Sequence, residues 1–447
     1  MRTVAWLAAA PAGHGVPLGL WLLVVGALVV GGLASASPWL RRAHPHAWWA
    51  LAGFPVAVAR VLWTWRRLAE VQNLSVAKRS QLAVVNQVVV RGRALKLVKP
   101  KLSLPRWRLG GLEVVVRLHP GQVPEQYAAA AEAMVHAWRV FAVRAISEKR
   151  GFVVLRAQAW DPLAVPFVPQ VRSAGRLSAV VGILETGVWW RVNLRETPHV
   201  LAVGATRSGK STLIAALVAQ LARQKVALVG IDLKGAMELG LFERRLTALA
   251  SSRAEAGPLL DRLVEIMTGR MARCRAEGVR SVWELPRLLQ PVPIVVFVDE
   301  VAELFLMASS AEKNEVAQCS TALLRIGQLG AALGVHLVVA GQRFGSDLGP
   351  GATAIRSQLA GRIAFRVLDK GTAEMVLGDT APDAVDAVQA ISADMPGTAL
   401  VSDTSTGGFL RARTHVVTVE QARKVAEEYA HLAPGLDELW AAGGGAA

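Results

Sequence analysis

A glycine-bounded turn that ends in a lysine and a hydroxyl residue is the part of this 447-residue sequence best suited to chemistry. Residues 204–211 read GATRSGKS, after a short apolar run and before a segment typical of a helix. Strand, turn and helix in that order predict a loop whose backbone N–H groups surround phosphates at the positive end of a helix dipole. Lys210 would reach the β- and γ-phosphates of a nucleotide, and Ser211 would offer its hydroxyl to Mg²⁺. A plain glycine-rich turn with a surface lysine is the alternative, which the flanking pattern disfavours.

An acidic pair supplies the groups that hydrolysis needs. Asp299 and Glu300 end the apolar run 293–298, which is typical of a buried parallel strand. Asp299 would hold Mg²⁺ through water, and Glu300 would orient or deprotonate the attacking water. In isolation such a pair is equally consistent with a solvated helix start, but a phosphate loop in the same chain favours the hydrolytic interpretation.

Gln342 is a further candidate, because it comes shortly after the apolar run 336–340. At the end of that strand it could sense the γ-phosphate or the attacking water. An ordinary loop glutamine remains the alternative.

The elements that would position these groups alternate between strand and helix. Strands predicted at 226–231, 294–298 and 336–340 are separated by helical patterns at 258–277 and 316–333. Such alternation predicts an α/β fold of the P-loop NTPase class, with a mostly parallel sheet, helices on both faces and a site at the carboxyl ends of the strands.

The N-terminal region contains two apolar runs. Residues 16–36 carry no charge and are long enough for a transmembrane helix, although Ala34, Ser35 and Ala36 resemble a signal-peptide cleavage site. Residues 45–65 contain Pro55 and Arg60 and predict a second transmembrane or interfacial segment. Tryptophans lie near the ends of both runs, as in interfacial belts; they are Trp39, Trp48, Trp49, Trp63 and Trp65.

Positive charge dominates the segment after the second apolar run. Residues 66–111 contain eleven Lys and Arg against one acid, Glu70, so the positive-inside rule places the rest of the chain in the cytoplasm. The net charge of +16 points to an anionic partner, either nucleic acid or an acidic membrane face. The two cysteines, Cys274 and Cys319, are too far apart for a metal motif, and we expect them to be reduced and buried.

These patterns divide the chain into segments. A small α/β unit begins at 111, and a hairpin at 178–184 and 188–194 leads into the nucleotide-binding region. The predicted segments are an N-terminal tail (1–15), a transmembrane helix (16–36), a second transmembrane or interfacial segment (45–65), a basic juxtamembrane linker (66–110), the small α/β domain (111–170), the ATPase motor domain (171–419), and a C-terminal helix and tail (420–447).

From residue 198 to about 401 the sequence resembles the motor domain of the FtsK/SpoIIIE family of DNA translocases. The resemblance runs in order through PHVLAVGATRSGKST, IDLKG, IVVFVDEVAEL, LGVHLVVAGQR and GRIAFRV followed by VLGDTAP and MPGTALV. The short N-terminus and single motor are more similar to the transfer (Tra) proteins of actinobacterial conjugative elements than to the long cell-division members.

The resemblance implies a ring, expected to be a hexamer, that hydrolyses ATP at subunit interfaces while it threads double-stranded DNA. It implies that Arg362, or else Arg343, is a finger that reaches the neighbouring subunit's γ-phosphate; a structural ion pair is the alternative. The residues it implies for ATP binding are Gly204, Ala205, Thr206, Arg207, Ser208, Gly209, Lys210, Ser211 and Thr212. Those it implies for catalysis are Lys210, Asp299, Glu300, Gln342 and Arg362, with Ser211 and Asp299 holding Mg²⁺.

The sequence departs from the family pattern in two places. Leu233 stands where a proline is typical, between Asp232 and Lys234, which leaves the role of Lys234 open. Residues 420–447 are too few for a winged-helix module, so recognition of orienting sequences is expected either to be absent or to be supplied by a separate sequence-specific DNA-binding protein.

Other functions fit the same motor. One is a coupling protein that exports single-stranded DNA, and another is a membrane ATPase that moves protein substrates. A subunit that binds ATP without hydrolysing it is disfavoured by Lys210, Asp299 and Glu300.

Overall fold

The chain forms two units, residues 1–161 and 162–447, in a computed structural model. The division falls within the segment 111–170 that the sequence predicts as the small α/β domain. The structure describes residues 45–78, 96–108, 110–147, 149–164, 175–307, 309–345, 348–349, 351–378, 382–402 and 408–439. The membrane span predicted at 16–36 and the tail at 1–15 lie outside these residues.

The first unit is an antiparallel sheet with helices packed on one face. Its strands are β1 (Val76–Lys78), β2 (Lys96–Val98), β3 (Lys101–Leu102), β4 (Arg106–Arg108), β5 (Gly111–Arg117), β6 (Ala142–Ile146) and β7 (Phe152–Gln158). β1 pairs with β2, whereas the larger sheet has the order β3-β5-β7-β6, with β4 also paired to β5. The helices are α1 (Pro45–Trp48), which continues as a π-helical turn (Trp49–Gly53), α2 (Phe54–Val71), α3 (Pro124–Ala129) and α4 (Ala131–Trp138).

Alternation along β5 and β7 determines which face of this sheet is buried. Leu112, Val114 and Val116 of β5 lie in one core with Val153 and Leu155 of β7. Tyr127 and Trp138 of the helices fill the same core and are fully buried. The intervening residues of both strands point to the opposite face, as the two-residue period of a strand requires.

The apolar run 45–65 differs from the expectation of a membrane segment with tryptophans at its ends. Trp49 and Trp65 are buried in the core of the first unit, where their indole N–H groups donate to the carbonyls of Gly111 (3.0 Å) and Pro100 (3.1 Å). Trp63, in contrast, is 86% exposed. Within the described part of the chain, no helix combines the length and the apolarity that crossing a bilayer requires.

The second unit contains a ten-stranded mixed sheet. In chain order its strands are β8 (Ser178–Leu184), β9 (Trp189–Asn193), β10 (His199–Val203), β11 (Ala227–Ile231), β12 (Ala248–Ala250), β13 (Ile294–Val298), β14 (Val335–Gly341), β15 (Gly361–Phe365), β16 (Thr398–Ser402) and β17 (Phe409–Thr414). Their order across the sheet is β12-β11-β13-β14-β10-β15-β16-β17-β8-β9. The strands from β12 to β15 are parallel, and those from β15 to β9 are antiparallel. The sheet is therefore less uniformly parallel than the sequence suggests, although the predicted hairpin is present as β8 and β9.

Helices cover both faces of the parallel half. They are α5 (Lys210–Leu221), α6 (Arg253–Ala276), α7 (Ala302–Phe305), α8 (Lys313–Leu333), α9 (Ala352–Gln358), α10 (Lys370–Leu377), α11 (Pro382–Gln389) and α12 (Val419–Glu428). Every residue of β10, β11, β13 and β14 is buried, as expected for strands with a hydrophobic core on each face. The two cysteines are buried and free, as the sequence suggests.

A buried arginine fixes the end of α5. Arg245 is fully buried and donates to the carbonyls of Ala222 (2.8 Å), Gln224 (2.9 Å) and Val226 (2.9 Å). Burial lowers the pKa of its guanidinium to about 10, so the group stays charged at neutral pH. It therefore satisfies carbonyls that the helix end and the following turn leave unpaired.

Candidate nucleotide site

The turn between β10 and α5 has the shape that a phosphate loop requires. Gly209 has φ +117°, and a Cβ at this position would lie 2.5 Å from the backbone N of Gly397. A Cβ on Gly204 would lie 2.5 Å from the Ser208 hydroxyl oxygen. Both positions thus need glycine for space, and Gly209 also needs it for conformation. α5 begins at Lys210, so the N–H groups of its first turn face the loop. These groups can donate hydrogen bonds to phosphate oxygens.

The loop is backed by the neighbouring strand ends. The Ala205 N–H donates to the Arg366 carbonyl (2.9 Å) after β15, and the Gly397 N–H donates to the Ser208 carbonyl (2.8 Å) before β16. The Thr414 N–H donates in turn to the Gly397 carbonyl (2.9 Å).

Arg413, beside Thr414, extends this support. Its guanidinium donates to the carbonyls of Pro396 (3.2 Å) and Leu163 (2.7 Å). The turn at Gly397 thus lies between the phosphate loop and the first residues of the second unit.

Lys210 is directed into the concavity of the loop. Its ammonium donates to the carbonyls of Gly204 (2.7 Å) and Ala205 (3.2 Å). Burial lowers the pKa of Lys210, and the carboxylate of Glu300 counteracts that effect. A bound phosphate would give the ammonium anionic acceptors in place of these carbonyls.

The strand β13 carries the acidic pair to this loop. The Ser211 hydroxyl donates to the Asp299 carboxylate (3.4 Å), and both Asp299 and Glu300 are buried. Burial raises the pKa of Asp299 to about 6, and the nearby Asp232 carboxylate adds to this effect. A hydroxyl beside a buried carboxylate offers the hard oxygen ligands that Mg²⁺ takes when substrate phosphates supply the rest, so these residues fit the ion.

Glu300 is held by two groups from adjacent strand ends. Its Oε2 lies 3.2 Å from the ammonium of Lys234, and its Oε1 accepts the backbone N–H of Gln342 (3.0 Å). The Gln342 side chain is exposed, so the structure brings Gln342 to the site through its backbone. Lys234, whose role the missing proline left open, lies directly against the acid predicted to activate water.

Asp232 is a site residue that the sequence interpretation did not single out for a role. It is fully buried, and its carboxylate accepts the N–H groups of Glu238 (2.9 Å) and Leu239 (3.0 Å) and a longer bond from Lys234 (3.3 Å). It therefore fixes the loop that carries Lys234. Its position directly after the apolar run 226–231 is the sequence signal that could have identified Asp232 as a site residue.

The two candidate finger arginines lie in different surroundings. Arg362 is the second residue of β15 and pairs with Leu201, about 10 Å along the strand from the end that adjoins the phosphate loop. It is half-buried and donates to the Arg356 carbonyl (2.9 Å). Arg343 follows β14 at the phosphate edge and lies 3.5 Å from Asp369, with its side chain 63% exposed. Of the two, Arg343 is the one that lies at the edge carrying the site of its own subunit.

Comparison with known proteins agrees with this geometry. The FtsK/SpoIIIE family matches residues 172–285 and 282–346, and the actinomycete conjugal transfer protein N-terminal domain matches residues 31–159. The family match and the arrangement of the site therefore both identify an ATPase.

Individual relatives cover most of the chain. It is 40% identical to the transfer protein TraSA of Streptomyces ambofaciens, in a match that covers 76% of this chain and 84% of that protein. It is 48% identical to a sporulation regulatory protein of Streptomyces azureus, in a match that covers 56% of this chain and 82% of that protein. The conjugation coupling protein TcpA of pCW3, solved as a monomer with ATPγS, shares the fold, with a TM-score of 0.53 and 19% identity over 74% of this chain and 94% of that one. The chain thus belongs to the FtsK/SpoIIIE family, in combination with the N-terminal domain of actinomycete conjugal transfer proteins.

Proposed function

We propose that this protein is a membrane-anchored, ATP-driven translocase of double-stranded DNA that moves plasmid or chromosomal DNA between cells. One observation carries the proposal. The same chain combines a nucleotide site, in which Lys210 and Ser211 lie beside Asp299 and Glu300, with a conjugal-transfer N-terminal domain. The relative named as a transfer protein and the coupling protein of similar fold support the same process.

Each residue of the site has a role in hydrolysis. Lys210 binds the β- and γ-phosphates and neutralises charge as the terminal phosphoryl group leaves. Ser211 and Asp299 would hold Mg²⁺, and the bound ion would polarise the phosphate oxygens. Glu300 orients the attacking water and accepts its proton, while the Gln342 N–H keeps that carboxylate in place.

The ring is the assembly in which an arginine finger would work. Arg343 is exposed at the phosphate edge and suits this role, whereas Arg362 lies near the end of β15 that is farther from the phosphate loop. A hexamer would surround DNA with a chain whose net charge is +16, which favours binding to the phosphate backbone.

The membrane anchor combines the run 16–36 with the outer face of α2. This face presents an exposed apolar stripe followed by two arginines, the arrangement of a helix that lies at a lipid interface. Its members are Pro55, Val56, Ala59, Leu62, Trp63, Arg66 and Arg67. The cytoplasmic side would then hold the ATPase.

The test is ATP hydrolysis by the full-length protein in detergent or lipid discs, with duplex DNA, single-stranded DNA or no DNA. We expect duplex DNA to stimulate hydrolysis most strongly. Lys210→Ala should abolish hydrolysis, and Glu300→Gln should retain ATP but stall turnover. Stimulation by single strands alone would favour a single-stranded DNA coupling protein. A rate indifferent to both would contradict translocation and favour a protein-secretion ATPase.

A further inference from the structure

The face of the first unit's sheet opposite the described helices is basic. The residues of β5 and β7 that alternate with the core positions point to it, together with their partners on β3, β4 and β6. We call this the open face. Its side chains, row by row across the strands, are Lys101, Arg117 and Phe152; then Val115, Val154 and Ile146; then Arg106, Glu113, Arg156 and Arg144; and finally Arg108, Gln158 and Ala142.

The first row brings two cations directly opposite each other. Lys101 of β3 pairs with Arg117 of β5, and Arg117 pairs with Phe152 of β7. Lys149 lies over the Phe152 ring, 5.5 Å from its centroid, and Arg150 and His119 line the same shallow cleft. In the described part of the chain, no carboxylate lines this cleft. Like charges placed opposite each other destabilise a sheet, so folding alone gives no reason for this pair.

The third and fourth rows add more positive charge around Glu113. This carboxylate accepts from both Arg108 (3.1 Å) of the fourth row and Arg156 (3.1 Å) of the third, while Arg106, directly opposite Glu113 on β4, is exposed. Among the described residues, the two rows together contain four arginines and one acid, so they carry an excess of positive charge.

The spacing of the rows defines what could bind across them. Arg117 and Glu113 are four residues apart on β5, which places the first and third rows about 13 Å apart, with an apolar row between them. This is close to the width of about 12 Å of the major groove of duplex DNA, so the two rows can meet phosphates on both sides of a groove.

We propose that the open face is a second DNA-binding surface, which contacts the phosphate backbone of a duplex through Lys101, Arg117 and the arginines of the third row. The inference deepens the proposed translocation and rests on it. A lipid surface is the competing ligand for basic residues, but the apolar stripe of α2 lies on the other side of the sheet, because α2 packs in the core on the helix-bearing face. The first unit thus has separate sides for lipid and for DNA. Backbone contacts of this kind carry no sequence preference.

The experiment measures binding of full-length protein to fluorescent duplex DNA at several salt concentrations. The variant is Lys101→Ala combined with Arg117→Ala, and the matched control is Arg66→Ala combined with Arg67→Ala, which removes the same charge from the opposite side. We expect the variant to lose about tenfold in affinity, equally for different sequences, and its salt dependence to become shallower by about two in log–log slope, one per lost phosphate contact. The control should retain both quantities.

Other outcomes separate the ways in which the inference could fail. Since the variant removes a repulsive pair, its melting temperature should equal or exceed that of the wild type, so lost binding cannot come from unfolding. Unchanged duplex affinity and slope in the variant, with a wild type that binds, would overturn this inference alone. A wild type without any duplex binding would overturn the proposed function as well. If the variant loses binding to vesicles of anionic phospholipid but retains duplex binding, the open face is a lipid-binding surface and the inference is overturned.

Discussion

At the scale of single residues, the site is organised around a few buried charges. Asp299 and Glu300 are buried beside Lys210, and Asp232 is fully buried behind them. Burial makes each of these charges costly, and the hydrogen bonds that the carboxylates accept offset part of that cost. The sequence predicted the acids, the lysine and the hydroxyl because each follows a recognisable strand. It left Lys234 open and gave Asp232 no role, because only folding shows which strand ends are neighbours.

Lys234 provides the first prediction. Its ammonium holds Glu300 in one orientation, so Lys234→Met should lower kcat for ATP hydrolysis by about tenfold and leave the KM for ATP nearly unchanged. Lys225→Met, a change at an exposed lysine in the turn between α5 and β11, is the matched control. A variant with raised KM and normal kcat would show that Lys234 contacts the nucleotide and does not position Glu300.

Asp299 provides a prediction about pH. Its folded-state pKa of about 6 exceeds the ordinary value of 3.8, so the folded protein binds this proton more tightly than the unfolded chain does. Stability is therefore lost as pH rises from about 4 to 6, and the cost stays in full above that range. Without Mg²⁺ or nucleotide, Asp299→Asn should raise the free energy of unfolding at pH 8 by about 3 kcal/mol, an order-of-magnitude value. The gain should vanish near pH 4.

Thermal or denaturant unfolding at the two pH values checks this result, with Asp394→Asn at an exposed position as the control. Addition of Mg²⁺ and ATP should stabilise the wild type more than Asp299→Asn. Equal stability of both proteins at pH 8 would contradict the costly burial of an ionised carboxylate.

At the scale of elements, local patterns predicted the parallel half of the motor well. The apolar runs of β11, β13 and β14 are continuous and bounded by polar signals, and each forms a strand close to its predicted limits. Helix starts were less accurate. The helix expected at 258–277 begins at Arg253, because Ser252 caps it and accepts the Glu255 N–H, while Pro258 is accommodated within its first turns.

The strand pairing in the antiparallel half could not be predicted from local sequence patterns. The pairing of β17 with β8 joins residues more than two hundred positions apart, and no periodicity indicates that partner. β17 ends at Thr414, and the Thr418 side chain caps the helix that follows it. In α2, hydrophobicity alone also could not separate core-facing tryptophans from exposed ones.

The helix α2 offers a matched pair of substitutions. Trp65 is buried and hydrogen-bonded, whereas Trp63, two positions earlier, is exposed. Trp65→Ala should lower the free energy of unfolding of the first unit by about 3–5 kcal/mol. Trp63→Ala should leave stability within about 0.5 kcal/mol but weaken binding to lipid vesicles. Equal effects of the two changes on stability would contradict the packing of α2, and unchanged vesicle binding would contradict its interfacial role.

At the scale of the whole molecule, the proposed ring predicts cooperation between subunits. If an arginine of one subunit completes the site of the next, then mixing Glu300→Gln protein into wild type should reduce DNA-stimulated hydrolysis more than in proportion to its share. Dilution with the Lys225→Met protein is the control, because it adds subunits with intact sites. A strictly proportional decline would show that each subunit works alone.

The turn at Gly397 has a consequence for how the motor transmits force. One side of this turn is bonded to the phosphate loop through Ser208, and the other reaches Leu163 through Thr414 and Arg413. Leu163 lies immediately after the point where the two units join. Three consecutive hydrogen-bonded steps therefore connect the phosphate loop to the beginning of the second unit. If the proposed anchor holds the first unit at a membrane, a pull on residue 163 would reach the loop through these bonds, and the rate of ATP hydrolysis would change with load.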